Sequence, residues 1–330
     1  MNKVEDAIQE YADWCSALGV DSMDILRKVM ELHKTVPLIN ICEARQERKY
    51  AEIANQILWK KDECRIVMIS GPSSSGKTSS SLRIAQQCRV VGLVPKVIEL
   101  DNYFVNREKN PRTPDGGYDF EALEALDIEF LGIQLNALLN GEEIELPHFD
   151  FVSGKRQFEG RKMRLNDGDI LFMEGIHALN PAMTPTIDSS KFFKIYVSAL
   201  SALPGENNQN SSSDKRLLRR IVRDNRNRGK SPEATILMWP SVRAGEVRNI
   251  FPYQDNADIV FNSSMLYDLP LLKYYAQPLL DDIPSDSPAR AMADHLTEYM
   301  GQIDAITPED IAAIPPTSIM REFIGGQMLF

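Results

Sequence analysis

One short segment of the chain, residues 71–78, combines glycines, serines, a lysine and a threonine at fixed spacing. It reads GPSSSGKT and fits the pattern G-x-x-x-x-G-K-[ST] without a mismatch. Glycines at these positions let backbone N–H groups approach phosphate oxygens at a helix N-terminus. Lys77 then reaches the β- and γ-phosphates, and the Thr78 hydroxyl binds Mg²⁺. We therefore predict a nucleoside triphosphate site formed by Gly71, Pro72, Ser73, Ser74, Ser75, Gly76, Lys77, Thr78 and Ser79.

Two carboxylates follow predicted strands elsewhere in the chain. Residues 97–100 form a short β-like run that ends at Asp101, and residues 170–173 form another that ends at Glu174. In open α/β sheets, ligands bind beyond the carboxyl ends of the strands. An acceptor hydroxyl needs a carboxylate that orients it and takes its proton, and Mg²⁺ needs a second acid. We assign the first role to Asp101 and the second to Glu174.

A basic stretch, residues 214–230, carries eight basic and two acidic residues in a chain whose net charge is −10. At helical spacing, its arginines fall on one arc and its apolar residues on the opposite side. Few acids are available locally to pair with them, so the crowded cations predict a lid that closes over a transferred phosphate. The arc contains Arg216, Arg219, Arg220 and Arg223, and Arg228 and Lys230 extend it.

The elements that must position these residues alternate between short apolar runs and helical stretches. Such alternation predicts a doubly wound α/β fold, a parallel sheet with helices on both faces. Residues 142–165 predict a small β-hairpin, and residues 201–213 predict a mobile loop. The strand candidates are 65–70, 97–100, 169–173, 192–198 and 257–261. We divide the chain into a helical extension (1–60), a catalytic domain (61–285) with its lid at about 201–232, and a helix (near 289–303) and tail rich in proline and glycine (286–330).

Composition limits the class of protein. With 43% apolar residues and a net charge of −10, the 330-residue chain has ample material for a core, and a broad nucleic-acid-binding surface is excluded. The sequence shows neither a membrane-spanning run nor a signal-peptide core, so we expect a cytoplasmic protein that needs no membrane. The spacing of the cysteines suggests neither zinc nor disulfides and predicts buried free thiols at Cys15, Cys42, Cys64 and Cys88.

Several of these motifs, in this order, resemble the uridine kinase branch of the phosphoribulokinase/uridine kinase family over about residues 65–265. The matching segments are 71–78, 101–104, 118–119, 149–151, 172–176 and 219–224. The resemblance implies a P-loop NTPase fold and transfer of the ATP γ-phosphate to the 5′-hydroxyl of a nucleoside. It implies that Asp101 is the base, that Glu174 helps to hold Mg²⁺, and that Asp119 holds ribose hydroxyls.

The same resemblance assigns roles to the basic and aromatic residues. It implies that Arg223 and Arg228 clamp phosphates and that Arg220 and Lys230 lie near the nucleoside. Tyr103 and Phe149, in two of the matching segments, are then further substrate-binding candidates.

The chain departs from the family pattern at positions that help to recognise the base. Phe149 and Gly154 stand where uridine-cytidine kinases usually carry tyrosine and histidine, and Lys230 stands where many relatives have arginine. The segments 250–254 and 321–326 resemble those of bacterial-type nucleoside kinases in which a threonyl-tRNA-synthetase-like segment precedes the kinase. Residues 1–60 resemble only the connector of that segment, and the chain is expected to begin after it.

The same residues are compatible with other functions. A kinase of another small hydroxyl substrate, such as a sugar phosphate or a pantothenate-like molecule, would use the same loop and carboxylates. A regulatory or RNA-associated protein would keep the nucleotide pocket without turnover. The intact set of Lys77, Thr78, Asp101 and Glu174 argues against it. A GTPase switch is disfavoured because the sequence has no N-K-x-D motif. The choice between ATP and GTP, the accepted base and the oligomeric state, including a homo-oligomer, stay open.

Overall fold

The structure is a computed structural model that describes residues 2–113, 116–150, 152–200, 203 and 211–329. Short 3₁₀ turns connect several of its helices and strands. In chain order, the helices and strands are α1 (Lys3–Leu18), α2 (Met23–Glu31), α3 (Thr35–Trp59), β1 (Ile66–Ser70), α4 (Lys77–Val90), β2 (Val94–Glu99), α5 (Ile128–Leu139), β3 (Ile144–Asp150), β4 (Lys155–Met163), β5 (Asp169–Glu174), β6 (Phe192–Ser198), α6 (Ser211–Arg228), α7 (Pro232–Asn249), β7 (Ile259–Asn262), α8 (Asp268–Asp281), α9 (Arg290–Met300), α10 (Pro308–Ala313) and α11 (Arg321–Ile324).

A parallel sheet with the strand order β2-β5-β1-β6-β7 forms the centre of the fold. All five predicted strands are present, and the doubly wound α/β fold is confirmed. The predicted hairpin is confirmed as well: β3 and β4 pair antiparallel, with Asp150 opposite Lys155 at the turn. Most of the predicted loop at 201–213 lies outside the described residues.

Helices cover both faces of the sheet because side chains alternate along each strand. On β1, Val67 and Ile69 face the core shared with α3 and α4. Ile66 and Met68 point to the opposite face, where α5 packs. The loop between β1 and α4 therefore rests on a strand that is buried on both sides.

A third core joins the two ends of the chain. It contains residues from α2, α6, α9 and α11, such as Leu26, Leu217, Leu296 and Phe323. The tail, which the sequence marks only as rich in proline and glycine, forms α10 and α11 and packs back onto the protein. Thr307 and Asp310 form a capping box that starts α10. Both terminal stretches thus share one core with the arginine-rich helix α6.

The cysteine prediction is confirmed, since Cys15, Cys42, Cys64 and Cys88 are buried free thiols. Among the helices of the described residues, none is long and apolar enough to cross a membrane.

Candidate active site

The segment 71–78 folds as a tight loop between β1 and α4. Ser74 and Gly76 take left-handed backbone angles, with φ of 58° and 83°. Lys77 Nζ donates to the carbonyl of Pro72 over 3.1 Å. The hydroxyls of Ser74 and Ser75 are buried and have no hydrogen-bond partner among the described residues. Buried, unsatisfied donors at a helix N-terminus suit an anion, so the loop fits a phosphate group.

The threonine after Lys77 lies against the carboxylate that follows β5. Thr78 Oγ1 donates to Glu174 Oε2 over 3.1 Å. Burial and the nearby charge of Asp101 raise the pKa of Glu174 to about 7, although Lys77 opposes the shift. The described residues contain no cluster of three or more His, Cys, Asp or Glu side chains that could hold a metal ion. Mg²⁺ at this position would take its other ligands from phosphates and water, as Mg²⁺ commonly does.

Asp101 follows β2 in a 3₁₀ turn and opens to solvent at the cleft. Desolvation by the surrounding protein raises the pKa of Asp101 above its usual range, whereas the positive charges of Lys77, Arg228 and Arg223 lower it. These cations act on Asp101 strongly enough to influence its titration. The structure therefore brings together the predicted base, the loop lysine and the two predicted phosphate clamps.

The arginine-rich helix α6 differs from its prediction. Arg219 is fully buried and pairs with Asp268 over 2.6 Å, and Arg216 pairs with the buried Glu246. The expectation that few acids pair with this face is therefore wrong. These two carboxylates come from α7 and α8, which local sequence spacing does not place beside α6.

The two predicted phosphate clamps, Arg223 and Arg228, share one acid. Arg223 contacts Asp224 at 2.8 Å, and Arg228 lies 3.6 Å from the same residue. Arg220 donates to Ser73 Oγ over 2.7 Å, which links the helix to the phosphate loop. Burial and the charge of Arg220 lower the pKa of Lys230, so Lys230 belongs to the same positive cluster.

The predicted ribose contact, Asp119, is paired with Arg248 of α7. Its Oδ2 accepts a hydrogen bond from Arg248 over 2.7 Å, and its Oδ1 caps the N–H of Glu121 over 3.1 Å. Asp119, Arg248 and Tyr253 line an open cavity of about 430 Å³. Tyr103 does not join this group, because its side chain is fully buried and its hydroxyl donates to Gln134 over 2.7 Å.

Phe149 and Gly154, the two positions that depart from the family pattern, have different surroundings. Phe149 is buried and packs against Phe104, with 5.5 Å between the ring centroids. Gly154 has a φ of 70°, and the side chain of Arg107 lies directly over it. A Cβ added to Gly154 would lie 2.6 Å from Arg107 Nε. Arg107 thus occupies the space beside the missing side chain.

Sequence reasoning missed two glutamates near the loop. Glu246 Oε1 accepts from the backbone N–H of Ser73 over 3.1 Å, and Arg216 and Arg243 hold the pKa of Glu246 down although burial would raise it. Burial raises the pKa of Glu121 to about 7, with Glu246 adding to the effect and Arg220 opposing it. Nothing in the local sequence marks Glu246, whereas Glu121 stands two residues after Asp119 of the Tyr118-Asp119 segment.

Comparisons with known proteins bear on the same residues. The model of the Phosphoribulokinase / Uridine kinase family matches residues 66–269. A uridine kinase of Macrococcus caseolyticus is 30% identical over 197 residues, which cover 59% of this chain and 86% of the relative. A uridine kinase of Halobacterium salinarum is 28% identical over 193 residues, 58% of this chain and 77% of the relative. A solved structure described as a possible uridine kinase from Bacillus stearothermophilus is 22% identical with a TM-score of 0.44, covering 65% of this chain and 98% of its own.

Proposed function

This chain belongs to the Phosphoribulokinase / Uridine kinase family, and we propose that it transfers the γ-phosphate of ATP to the 5′-hydroxyl of a nucleoside. Family membership makes it a P-loop kinase of small molecules. The observation that supports the reaction most directly is the convergence of Asp101, Lys77 and Arg223 at the ends of the parallel strands. A carboxylate among phosphate-binding cations is the arrangement that phosphoryl transfer to a hydroxyl requires.

Each residue has a separate part in the proposal. The loop 71–79 holds the triphosphate, and Thr78 and Glu174 are the protein groups beside Mg²⁺. When bound, ATP supplies the phosphoryl group, and Mg²⁺ offsets the charge that develops on it. Asp101 orients the acceptor hydroxyl and takes its proton, and its raised pKa makes it a better base than an ordinary aspartate.

In this proposal Asp119 binds the hydroxyls of the substrate. Asp119 lines the 430 Å³ cavity and is held by Arg248, so its carboxylate is fixed in place for vicinal hydroxyls. Arg223 and Arg228 share the carboxylate of Asp224, and we propose that they move to the transferred phosphate when the lid closes. The proposed catalytic domain is 61–285, with a cytoplasmic location.

The test is ADP release by the purified chain with ATP and Mg²⁺. The acceptors are uridine, 5′-deoxyuridine, a hexose phosphate and pantothenate. We expect ADP release with uridine or another ribonucleoside and none above background with 5′-deoxyuridine, which lacks the acceptor oxygen. Turnover of the hexose phosphate or pantothenate alone would assign a different kinase reaction. Nucleotide binding without turnover of any acceptor would favour a regulatory protein.

A further inference from the structure

The carboxyl-terminal segment, residues 318–327, lies directly on the phosphate loop. Glu322 Oε2 accepts hydrogen bonds from the backbone N–H of Ser79, over 3.3 Å, and from Ser79 Oγ. Gln327 Nε2 donates to the same hydroxyl over 2.7 Å. Ile319 covers Gly76 so closely that a Cβ added there would lie 2.3 Å from Ile319 Cδ1. The segment thus contacts both the cap and the first turn of α4.

The same segment is attached to the arginine-rich helix. Phe323 is fully buried, and the guanidinium of Arg219 lies 5.0 Å from the centre of its ring. Arg226 packs against Gly325, where an added Cβ would lie 2.2 Å from Arg226 Nε. Residues 318–327 therefore connect the phosphate loop to the helix that carries the proposed phosphate clamps.

Glu322 accepts from a hydrogen-bond donor, the N–H of Ser79, that a bound phosphate would also need. Ser79 is the third residue of α4, so its N–H is one of the first-turn donors that have no partner within the helix. In loops of this pattern, the backbone N–H groups at the helix start hold the α- and β-phosphates. A carboxylate and a phosphate oxygen compete for such a donor, since both are anionic acceptors. Glu322 also adds negative charge beside Glu174.

We propose that Glu322 is an autoinhibitory latch on the nucleotide site. Its carboxylate holds the donors of Ser79 until a nucleoside di- or triphosphate takes them, and binding then releases Glu322 from the loop. This inference rests on one part of the proposed function, the binding of nucleotide phosphates at residues 71–79. It requires neither turnover nor a particular acceptor.

The test measures nucleotide affinity without the reaction. Calorimetry gives the Kd of ADP and of GDP, each with Mg²⁺, for the parent, for Glu322→Gln and for Glu309→Gln. Glu309 is an exposed glutamate of the same tail, at the start of α10, and serves as the matched control. We expect Glu322→Gln to lower the Kd of the bound nucleotide about tenfold, because a neutral amide competes less well than a charged carboxylate. Glu309→Gln should leave it within about twofold of the parent.

A second measurement on the unmodified protein avoids any effect of the substitution on folding. Amide hydrogen exchange of residues 318–326 should become faster when ADP or GDP binds. An unchanged or higher Kd in Glu322→Gln, or slower exchange of this segment with nucleotide, would overturn the latch and leave the kinase proposal intact. A parent that binds neither nucleotide refutes both. If Glu322→Gln binds nucleotide more tightly but no acceptor is turned over, the latch is supported and only the proposed kinase reaction is refuted.

Discussion

Arg219 Nη2 lies 2.6 Å from Asp268 Oδ2, and both side chains are completely buried between α6 and α8. Arg219 also donates to the carbonyl of Ser263 over 3.0 Å. An arginine that stands on the cationic arc of α6 is therefore part of the protein interior. Its neighbours four and nine residues later, Arg223 and Arg228, keep their charges at the cleft.

We expect Arg219→Ala to destabilise the fold by about 3–5 kcal/mol, because it leaves the carboxylate of Asp268 buried without its cation. Urea unfolding at neutral pH measures the change. Arg228→Ala is the matched control, since the side chain of Arg228 is half exposed, and it should cost less than about 1 kcal/mol. Equal losses in the two variants would show that burial does not separate the two arginines.

The sequence predicts the sheet well because each of its strands is a short and largely apolar run. It predicts the loop equally well, since a single continuous segment holds all of its residues. Pairings between distant elements are not predictable in this way. Glu246 and Asp268 reach α6 only through the packing of α7 and α8, and no spacing rule relates them to Arg216 or Arg219.

The contacts of the carboxyl-terminal tail were also not predictable from the sequence. Its composition is rich in proline and glycine and indicates no helix, yet Phe323 and Ile319 are buried in the core that also contains α6. Hydrophobic residues at intervals in a short tail give no periodic pattern, so neither α11 nor the contact between Glu322 and Ser79 could be predicted. The motif at 321–326 was visible in sequence, but its place beside the loop was not.

For Asp101→Asn, we expect nearly unchanged ATP binding and a kcat lowered by about two to four powers of ten, the usual effect of a positioned base. The amide keeps the size of the side chain but loses its negative charge and its ability to take a proton. Steady-state kinetics and calorimetry with ATP test the two halves separately. Turnover above about a tenth of the parent rate would exclude Asp101 as the base.

Lys77→Ala and Arg223→Ala should differ in the step that they impair. Lys77 lies within the loop, so its loss should weaken ATP binding about 10–100-fold and lower turnover as well. Arg223 is bound to Asp224, and we expect it to reach the phosphate only in the closed lid. Arg223→Ala should therefore lower kcat about 100–1000-fold with little change in the Kd of ATP. Equal losses of ATP affinity in the two variants would contradict the lid assignment.

Glu121 should make stability depend on pH near neutrality. Burial raises its pKa from the ordinary 4.5 to about 7, so folding favours the protonated carboxyl. Its contribution is complete below pH 4.5 and is lost as the pH rises through 7. Relative to the parent, Glu121→Gln should gain about 2–3 kcal/mol in free energy of unfolding between pH 5 and pH 8. Glu124→Gln, at an exposed position three residues away, should show no such trend.

Phe149 and Gly154 determine what we expect of the base specificity of the enzyme. Phe149 has no hydroxyl and is buried against Phe104, and Gly154 offers no side chain to the edge of a base. Each missing buried hydrogen-bond partner removes about 1–3 kcal/mol of discrimination, so two together remove roughly two to four powers of ten. Arg107 beside Gly154 can only donate hydrogen bonds. A carbonyl on the edge of either a purine or a pyrimidine can accept them.

We therefore expect an enzyme that requires the ribose, through Asp119, and accepts several bases. The measurement is kcat/KM for uridine, cytidine, thymidine, inosine and adenosine under one set of conditions, for the parent and for Arg107→Ala. The parent values for the ribonucleosides should lie within a thousandfold of one another, and Arg107→Ala should lower those for uridine and inosine more than that for adenosine, which has no carbonyl on its ring. Thymidine, without the 2′-hydroxyl, should be the poorest substrate. A preference of the parent for uridine or cytidine of a thousandfold or more over all the others would contradict the expectation.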